Sequence, residues 1–159
     1  MKIVLAADIA GFDLKESIKE HLTEKGHIVF DVGMLKKESF VWWYEGCANA
    51  VGMIQAGKAE LGILICGTGA GMCAYANKHK GIFAVACESI YTARQCRHLL
   101  DANVMTMGGH IVGRGMALEM VDVFIKTKFA DGVTTERREY LEEQKEKFVK
   151  LDAACFISR

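Results

Sequence analysis

Residues 65–78, ICGTGAGMCAYANK, gather a thiol, a hydroxyl and three spaced glycines: Cys66 stands directly before Gly67, Thr68 and Gly69, and Gly71 follows. The stretch ends an apolar run and opens a helical pattern, so its amides can converge on an anion at a strand-to-helix turn. A helix N-terminus behind Cys66 favours its thiolate. A base facing an anion hole suits enolate chemistry. The base takes a proton from the carbon beside a carbonyl, the amides hold the charge that develops on oxygen, and Thr68 is placed to hydrogen-bond the same oxygens. A plainer reading stands beside this one, in which Cys66 is a strand-end core thiol and the glycines form a tight turn. Nucleotide loops are excluded by spacing. Lys78 lies too far along for the G-x-x-x-x-G-K-[ST] loop, and a G-x-G-x-G after the third strand is not the dinucleotide fingerprint. Neither ATP nor NAD is expected, and no cofactor is.

The elements that must hold this loop alternate regularly. Apolar runs at 3–7, 27–32, 61–66, 82–87 and 103–107 read as strands. Helical patterns fill the intervals at 11–25, 43–56, 70–78, 89–100 and 115–126, the first with Leu14, Ile18 and Leu22 on one face. Continuous apolar strands separated by helices imply a parallel sheet covered on both faces. The expected fold class is α/β, a doubly wound five-stranded parallel sheet in a Rossmann-like α/β/α sandwich. Ligands in such folds gather beyond the carboxyl ends of the strands, which places Asp8, 66–71, Glu88 and 108–110 on one rim. The chain divides into an α/β domain at 1–132 and a C-terminal helix and tail at 133–159. That helix is highly charged, with Tyr140, Leu141 and Phe148 as its few apolar anchors and Glu143 and Lys147 paired at i,i+4, and is expected at an edge or across a partner subunit.

Bulk properties narrow the function. The chain has 159 residues with twenty basic side chains against twenty acidic ones, which gives no charge to gather nucleic acid or anionic lipid. The N-terminal MKIVLAAD forms neither a signal peptide nor a membrane span, so a cytoplasmic protein is expected. Six cysteines are scattered without C-x-x-C pairs, so no metal site is expected, and no resolving cysteine near Cys66 supports a redox role.

The stretches AADIAGFDLKE (6–16), GILICGTGAGMCAYANK (62–78), YTARQCR (91–97), DANV (101–104) and MGG (107–109) resemble, in order and spacing, the ribose-5-phosphate isomerase B and galactose-6-phosphate isomerase family. The resemblance implies metal-free interconversion of aldose and ketose phosphates in a homodimer or homotetramer with sites at subunit interfaces. Carried over by position, it implies Cys66 as the proton-transferring base, Thr68 as a substrate-contacting hydroxyl and Asp8 as the sugar-binding aspartate. The amides of Gly67, Gly69 and Gly71 match the enediolate-stabilising loop. Arg137 matches a phosphate-binding arginine.

Departures from the family surround this loop. Ile9 stands where the family has histidine, Leu99 and Leu100 where it has the ring-opening histidine and an asparagine, and His110 and Val133 where it has two arginines. Trp42, Trp43 and Tyr44 replace a Y-P-x-Y-like segment. Two explanations are compatible with them. A tetrose 4-phosphate has its ring-closing hydroxyl esterified and stays open, so it needs no ring-opening histidine, and a pocket shrunk or dried by Trp42, Trp43, Leu99 and Leu100 suits a shorter or less polar substrate. Alternatively the phosphate is no longer bound in the family's way. Arg114, Arg137, Arg138 and His110 could then compensate, or the substrate is unphosphorylated. A sugar-phosphate-binding subunit without activity is the rival of another class. For His98 and His110 a structural or surface role is the simpler reading, and for Trp42 and Trp43 a core or interface role.

Overall fold

The computed structural model describes residues 1–156. Five strands are formed, β1 (Lys2–Ala7), β2 (Ile28–Asp31), β3 (Leu61–Cys66), β4 (Ala84–Ala86) and β5 (Val104–Gly108). All pair in parallel in the order β2-β1-β3-β5-β4. Every residue of β3 and β5, and all of β1 after Lys2, is buried, as expected for strands covered on both faces. Strand alternation then divides the core. Ile3, Leu5, Ile63, Ile65, Met105 and Met107 face one helical layer, while Val4, Ala6, Leu64 and Cys66 face the other.

The first layer contains α1 (Phe12–Glu24), α4 (Ile90–Leu100) and α5 (Arg114–Lys126), and the second contains α2 (Trp43–Gln55) and α3 (Ala70–Ala76). Two elements differ from the sequence reading in instructive ways. β4 is three residues rather than six, because Ile82 N–H is taken by His79 O in a turn and Phe83 N–H by the Asn103 side chain. The final helix, α6 (Thr135–Cys155), expected from the charge pattern over Thr134 to Lys150, runs five residues past Lys150. Nothing in LDAAC breaks a helix, since it holds neither glycine nor proline.

α6 lies along the β4 edge. Phe148 packs on Phe83 with ring centroids 4.9 Å apart, Asp152 accepts from Gly81 N–H, and Lys145 pairs with Asp101. Leu141 is its one buried residue, and Tyr140 and Phe148 stay about half exposed. The Glu143–Lys147 pair forms at 2.6 Å. No helix among the described residues is long and apolar enough to cross a membrane.

Candidate active site

The chain runs from β1 to β2 on one side and to β3 on the other, so the switch point of the sheet falls between β1 and β3. A crevice opens at such a point beyond the strand ends. The two residues that flank it are Asp8, directly after β1, and Cys66, the last residue of β3.

Close backbone packing builds the floor. The loops after β1, β3 and β5 touch through main-chain atoms: Gly109 N–H donates to Cys66 O at 2.7 Å and His110 N–H to Gly67 O at 3.1 Å. A Cβ on Gly109 would stand 2.3 Å from Ala10 O, a distance no side chain tolerates. Gly69 adopts φ +81°, and a Cβ there would meet the Met107 backbone at 2.8–3.0 Å. Only glycine satisfies both demands. Thr106, buried in β5, donates its hydroxyl to Gly69 O at 2.9 Å and fixes the turn from below. The sequence reading missed Thr106, although a lone hydroxyl in the apolar run VMTMG is its signal.

Cys66 is 6% exposed, at the mouth of this floor. The Gly69 N–H donates to its sulfur at 3.2 Å, so this amide orients the thiol rather than facing the crevice. Ala70 N–H turns to the Thr68 hydroxyl at 3.4 Å. Among the described residues, the amides of Gly67, Thr68 and Gly71 make no backbone hydrogen bond. α3 has seven residues, hence is only about 10 Å long. Cys47 lies below the loop, wholly buried on α2. Burial, with smaller contributions from Cys66 and Cys73, pushes its thiol up to about 12, and it donates to Met72 O at 3.5 Å.

Asp8 Oδ1 accepts from the Ala10 and Gly11 N–H groups at 3.0 and 3.2 Å, which aims the carboxylate over the rim and leaves Oδ2 free of these turn bonds. Ile9 is half exposed beside it. His110 is exposed, with its ring against Gly67, where a Cβ would lie 3.2 Å from His110 Cδ2. Trp43 closes the other flank: its ring lies 3.6–3.9 Å from a Cβ built on Gly71 and meets Tyr75 edge-on at 6.0 Å. Asp8, Cys66, Gly67, Thr68, Gly69, Gly71, His110 and Trp43 therefore share one neighbourhood.

Arg137 does not join them. α5 starts beside the rim at Arg114 and descends for 13 residues, about 20 Å, to the opposite end of the sheet. There Ala130 N–H donates to His98 O, and Arg138 donates to Ala130 O at 2.6 Å. Arg137, stacked on Tyr140 at 5.0 Å, lies at this far end, as do His98 and the C-terminal turn of α4 with Leu99 and Leu100. The residues singled out in the sequence fall into two groups at two ends of the sheet.

Residues 3–141 match the Ribose/Galactose Isomerase family. The chain belongs to that family. It is an aldose–ketose isomerase of the ribose/galactose sugar-phosphate isomerase type. It is 39% identical over 156 residues, 98% of either chain, to the 4-deoxy-4-sulfo-D-erythrose isomerase of Clostridium sp. strain MSTE9. Over 132 residues, 83% of this chain and 87% of the relative, it is 33% identical to the D-erythrulose-4-phosphate isomerase of Pectobacterium atrosepticum. The crystal structure of ribose-5-phosphate isomerase B from Mycoplasma genitalium with bound ribulose-5-phosphate is similar at TM-score 0.84 and 30% identity, covering 96% of each chain. The ribose/galactose isomerases thus include members named for four-carbon and five-carbon substrates.

Proposed function

We propose that this isomerase interconverts the aldose and ketose forms of an open-chain four-carbon sugar that carries a sulfonate on C4, with Cys66 as the base. The observation that carries the reading is a split in the site: the thiol and its amide loop are complete at the rim, while the position matching the family's ring-opening histidine holds Leu99. A four-carbon aldose whose C4 bears sulfur in place of a hydroxyl cannot close a five-membered ring, so it loses nothing with that histidine. The full-length similarity to a 4-deoxy-4-sulfo-D-erythrose isomerase supports the same class.

Charge supports the sulfonate over the phosphate. A phosphate monoester carries about −1.5 to −2 at pH 7, and its clamp favours bidentate, permanently charged guanidinium groups. Here His110 and Val133 stand at two such positions. A sulfonate carries a single charge and needs fewer of them. Arg137, at the far end of its own chain, reaches a rim only in a second copy, and the reading therefore includes a homo-oligomer whose sites are shared between subunits.

The chemistry uses this chain's own groups. With the carbonyl O1 against the amides of Gly67, Thr68 and Gly71, the Cys66 thiolate removes the C2 hydrogen, and the C–H electron pair becomes the C1–C2 double bond. O1 takes the negative charge, which the amides stabilise in place. The Thr68 hydroxyl relays the O2 proton to O1, and the Cys66 thiol returns its proton to C1, giving the ketose. Asp8 holds a sugar hydroxyl, and Trp43 limits the length of the chain that fits.

Proton exchange at C2 in deuterated water tests each part. Wild-type protein should exchange 4-deoxy-4-sulfo-erythrose at least tenfold faster, by kcat/KM, than erythrose 4-phosphate, and both faster than ribose 5-phosphate. Cys66→Ala should abolish exchange with the fold intact. Preference for ribose 5-phosphate overturns the chain length, preference for the phosphate overturns the sulfonate, and exchange surviving in Cys66→Ala overturns the thiol.

A further inference from the structure

One buried charge has no part in this chemistry. Lys15, in the first turn of α1, is completely buried, a position where lysine is almost never found without specific partners. It stands beside the apolar face of α1: Leu14 packs half-buried against the core with Ile18 and Leu22, and Lys15 is wholly buried next to them. Its ammonium donates to Met34 O at 2.7 Å, pairs with Asp31 at the end of β2, and reaches Glu16 at 2.7 Å. Lys19 shares both acids, at 2.9 Å from Asp31 and 2.7 Å from Glu16. Burial pushes the Glu16 carboxyl up, but the two ammonium groups bonded to it outweigh this and hold it below the ordinary glutamate value. The Phe12 ring covers Lys15 at 5.2 Å.

The partners of Lys15 lead to the site along two routes. Its own N–H donates to Gly11 O at 2.9 Å, and Gly11 is the last residue of the turn that the Asp8 carboxylate holds. The second route runs through residues 32–34, which extend beyond β2 as a strap on β1: Val32 N–H donates to Leu5 O and Met34 N–H to Ala7 O, both at 2.9 Å. Gly33 lies so close to β1 that a Cβ would stand 2.3 Å from Ala7 N. On its other side Gly46 of α2 rests against Gly33, close enough that a Cβ on Gly46 would lie 3.6 Å from Gly33 Cα. Gly46 lies one turn inside the helix that begins at Trp43, and Trp43 lies against Gly71.

We propose that Lys15 is a positioning residue for the isomerisation: by clamping Met34 and Asp31 to the first turn of α1, it holds both the Asp8 turn and the α2 platform that sets the Trp43 wall over the catalytic loop. A lysine does here what an apolar residue cannot. It satisfies a buried carbonyl and an end-of-strand carboxylate together, and so fixes where the strap leaves the sheet rather than merely filling space. This inference rests on the roles given above to Asp8 and Trp43.

The test separates positioning from stability. Lys15→Met with Asp31→Leu removes one charge of each sign and leaves the Lys19–Glu16 pair in place. Replacing a buried ion pair by apolar side chains is often close to neutral for folding, so the melting temperature should stay within a few degrees. Trp42 and Trp43 are the only tryptophans and Trp42 is half exposed, so the measurement is made in a Trp42→Phe background, where intrinsic fluorescence reads the Trp43 wall with or without substrate. In the double variant acrylamide quenching should rise about twofold, and kcat/KM for C2 exchange should fall at least tenfold, chiefly through KM. If the double variant does not fold, Asp31→Asn keeps the side-chain shape and should show the same two changes at about threefold in kcat/KM. A folded variant with wild-type quenching overturns the proposal, as does one with wild-type kcat/KM. Should wild-type protein exchange none of the sugars tried, the substrate reading fails while quenching still decides whether Lys15 sets the wall.

Discussion

Replacing Gly69 by alanine should damage this protein more than any other single methyl added to the catalytic loop. The residue adopts φ +81°, where a Cβ costs about 1–2 kcal/mol through its contact with the adjoining carbonyl. The new atom would also stand 2.8 Å from the Met107 carbonyl carbon and 3.0 Å from its Cα and N. Those are main-chain atoms of a wholly buried strand, which cannot swing aside, and forced overpacking adds about 1–3 kcal/mol. The sum, about 2–5 kcal/mol, lowers the melting temperature by roughly 5–15 °C for a chain of this size. If the loop yields instead, the Gly69 N–H leaves the Cys66 sulfur, and a displacement of about 1 Å at a reacting group is worth on the order of 10²-fold in rate. Gly71→Ala is the matched control: its Cβ would lie 3.6–3.9 Å from the Trp43 ring, ordinary contact, and should shift melting by no more than about 2 °C. Thermal unfolding and C2 exchange measured on both variants check this. A Gly69→Ala protein within about 2 °C and threefold of wild type would show that the loop is not pinned on β5 in the way argued.

Thr106→Val, nearly the same shape, removes the hydroxyl bonded to Gly69 O at 2.9 Å; Gly69 O keeps its bond from Cys73 N–H, so the loss is about 0.5–1.5 kcal/mol and C2 exchange should slow about threefold to tenfold. Asp122 sets part of the acid response: burial pushes its carboxyl up, but bonds from Lys25 and His21 outweigh this and hold it below the ordinary aspartate value. A depressed folded-state value contributes stability that is full above the unfolded value, near pH 4, and is lost as pH falls through the folded one. The melting difference between wild type and Asp122→Asn should therefore shrink as pH falls below about 4, and a difference that persists undiminished to pH 2 contradicts the pairing.

Much of the fold was legible because the strands are apolar throughout and the helices follow them without exception. β3 ends at Cys66 as read, and each central strand lies within a residue of its expected span. What escaped was set by tertiary context. The span of β4 depends on Asn103, a side chain from another element that replaces a ladder bond. Leu14 packs on the core with Ile18 and Leu22 as read, but nothing in helical spacing says that the neighbouring Lys15 is buried as well; the carbonyl of Met34 and the carboxylate of Asp31, from other elements, decide it. The loop at 66–71 was legible as chemistry because its residue types and spacing are local. Gly69 was not legible as a donor to sulfur, since that depends on a positive φ imposed by Met107.

The division between the fixed and the replaceable parts of the site follows the same mechanics. Asp8, Cys66 and Gly108 stand at the ends of β1, β3 and β5, strands buried along almost their whole length, and their loops interlock through main-chain contacts in which a single added Cβ collides. Such a floor admits few substitutions. Ile9, His110, Trp42 and Trp43 stand outside it, on the exposed side of those loops or beyond the connection that follows the strap. Changing them reshapes what fits above the thiol without moving the atoms beneath it. Relatives of this chain are named for sugars of different length and terminal group, and a boundary between interlocked backbone and free side chain lets the walls of such a site change while its floor stays in place.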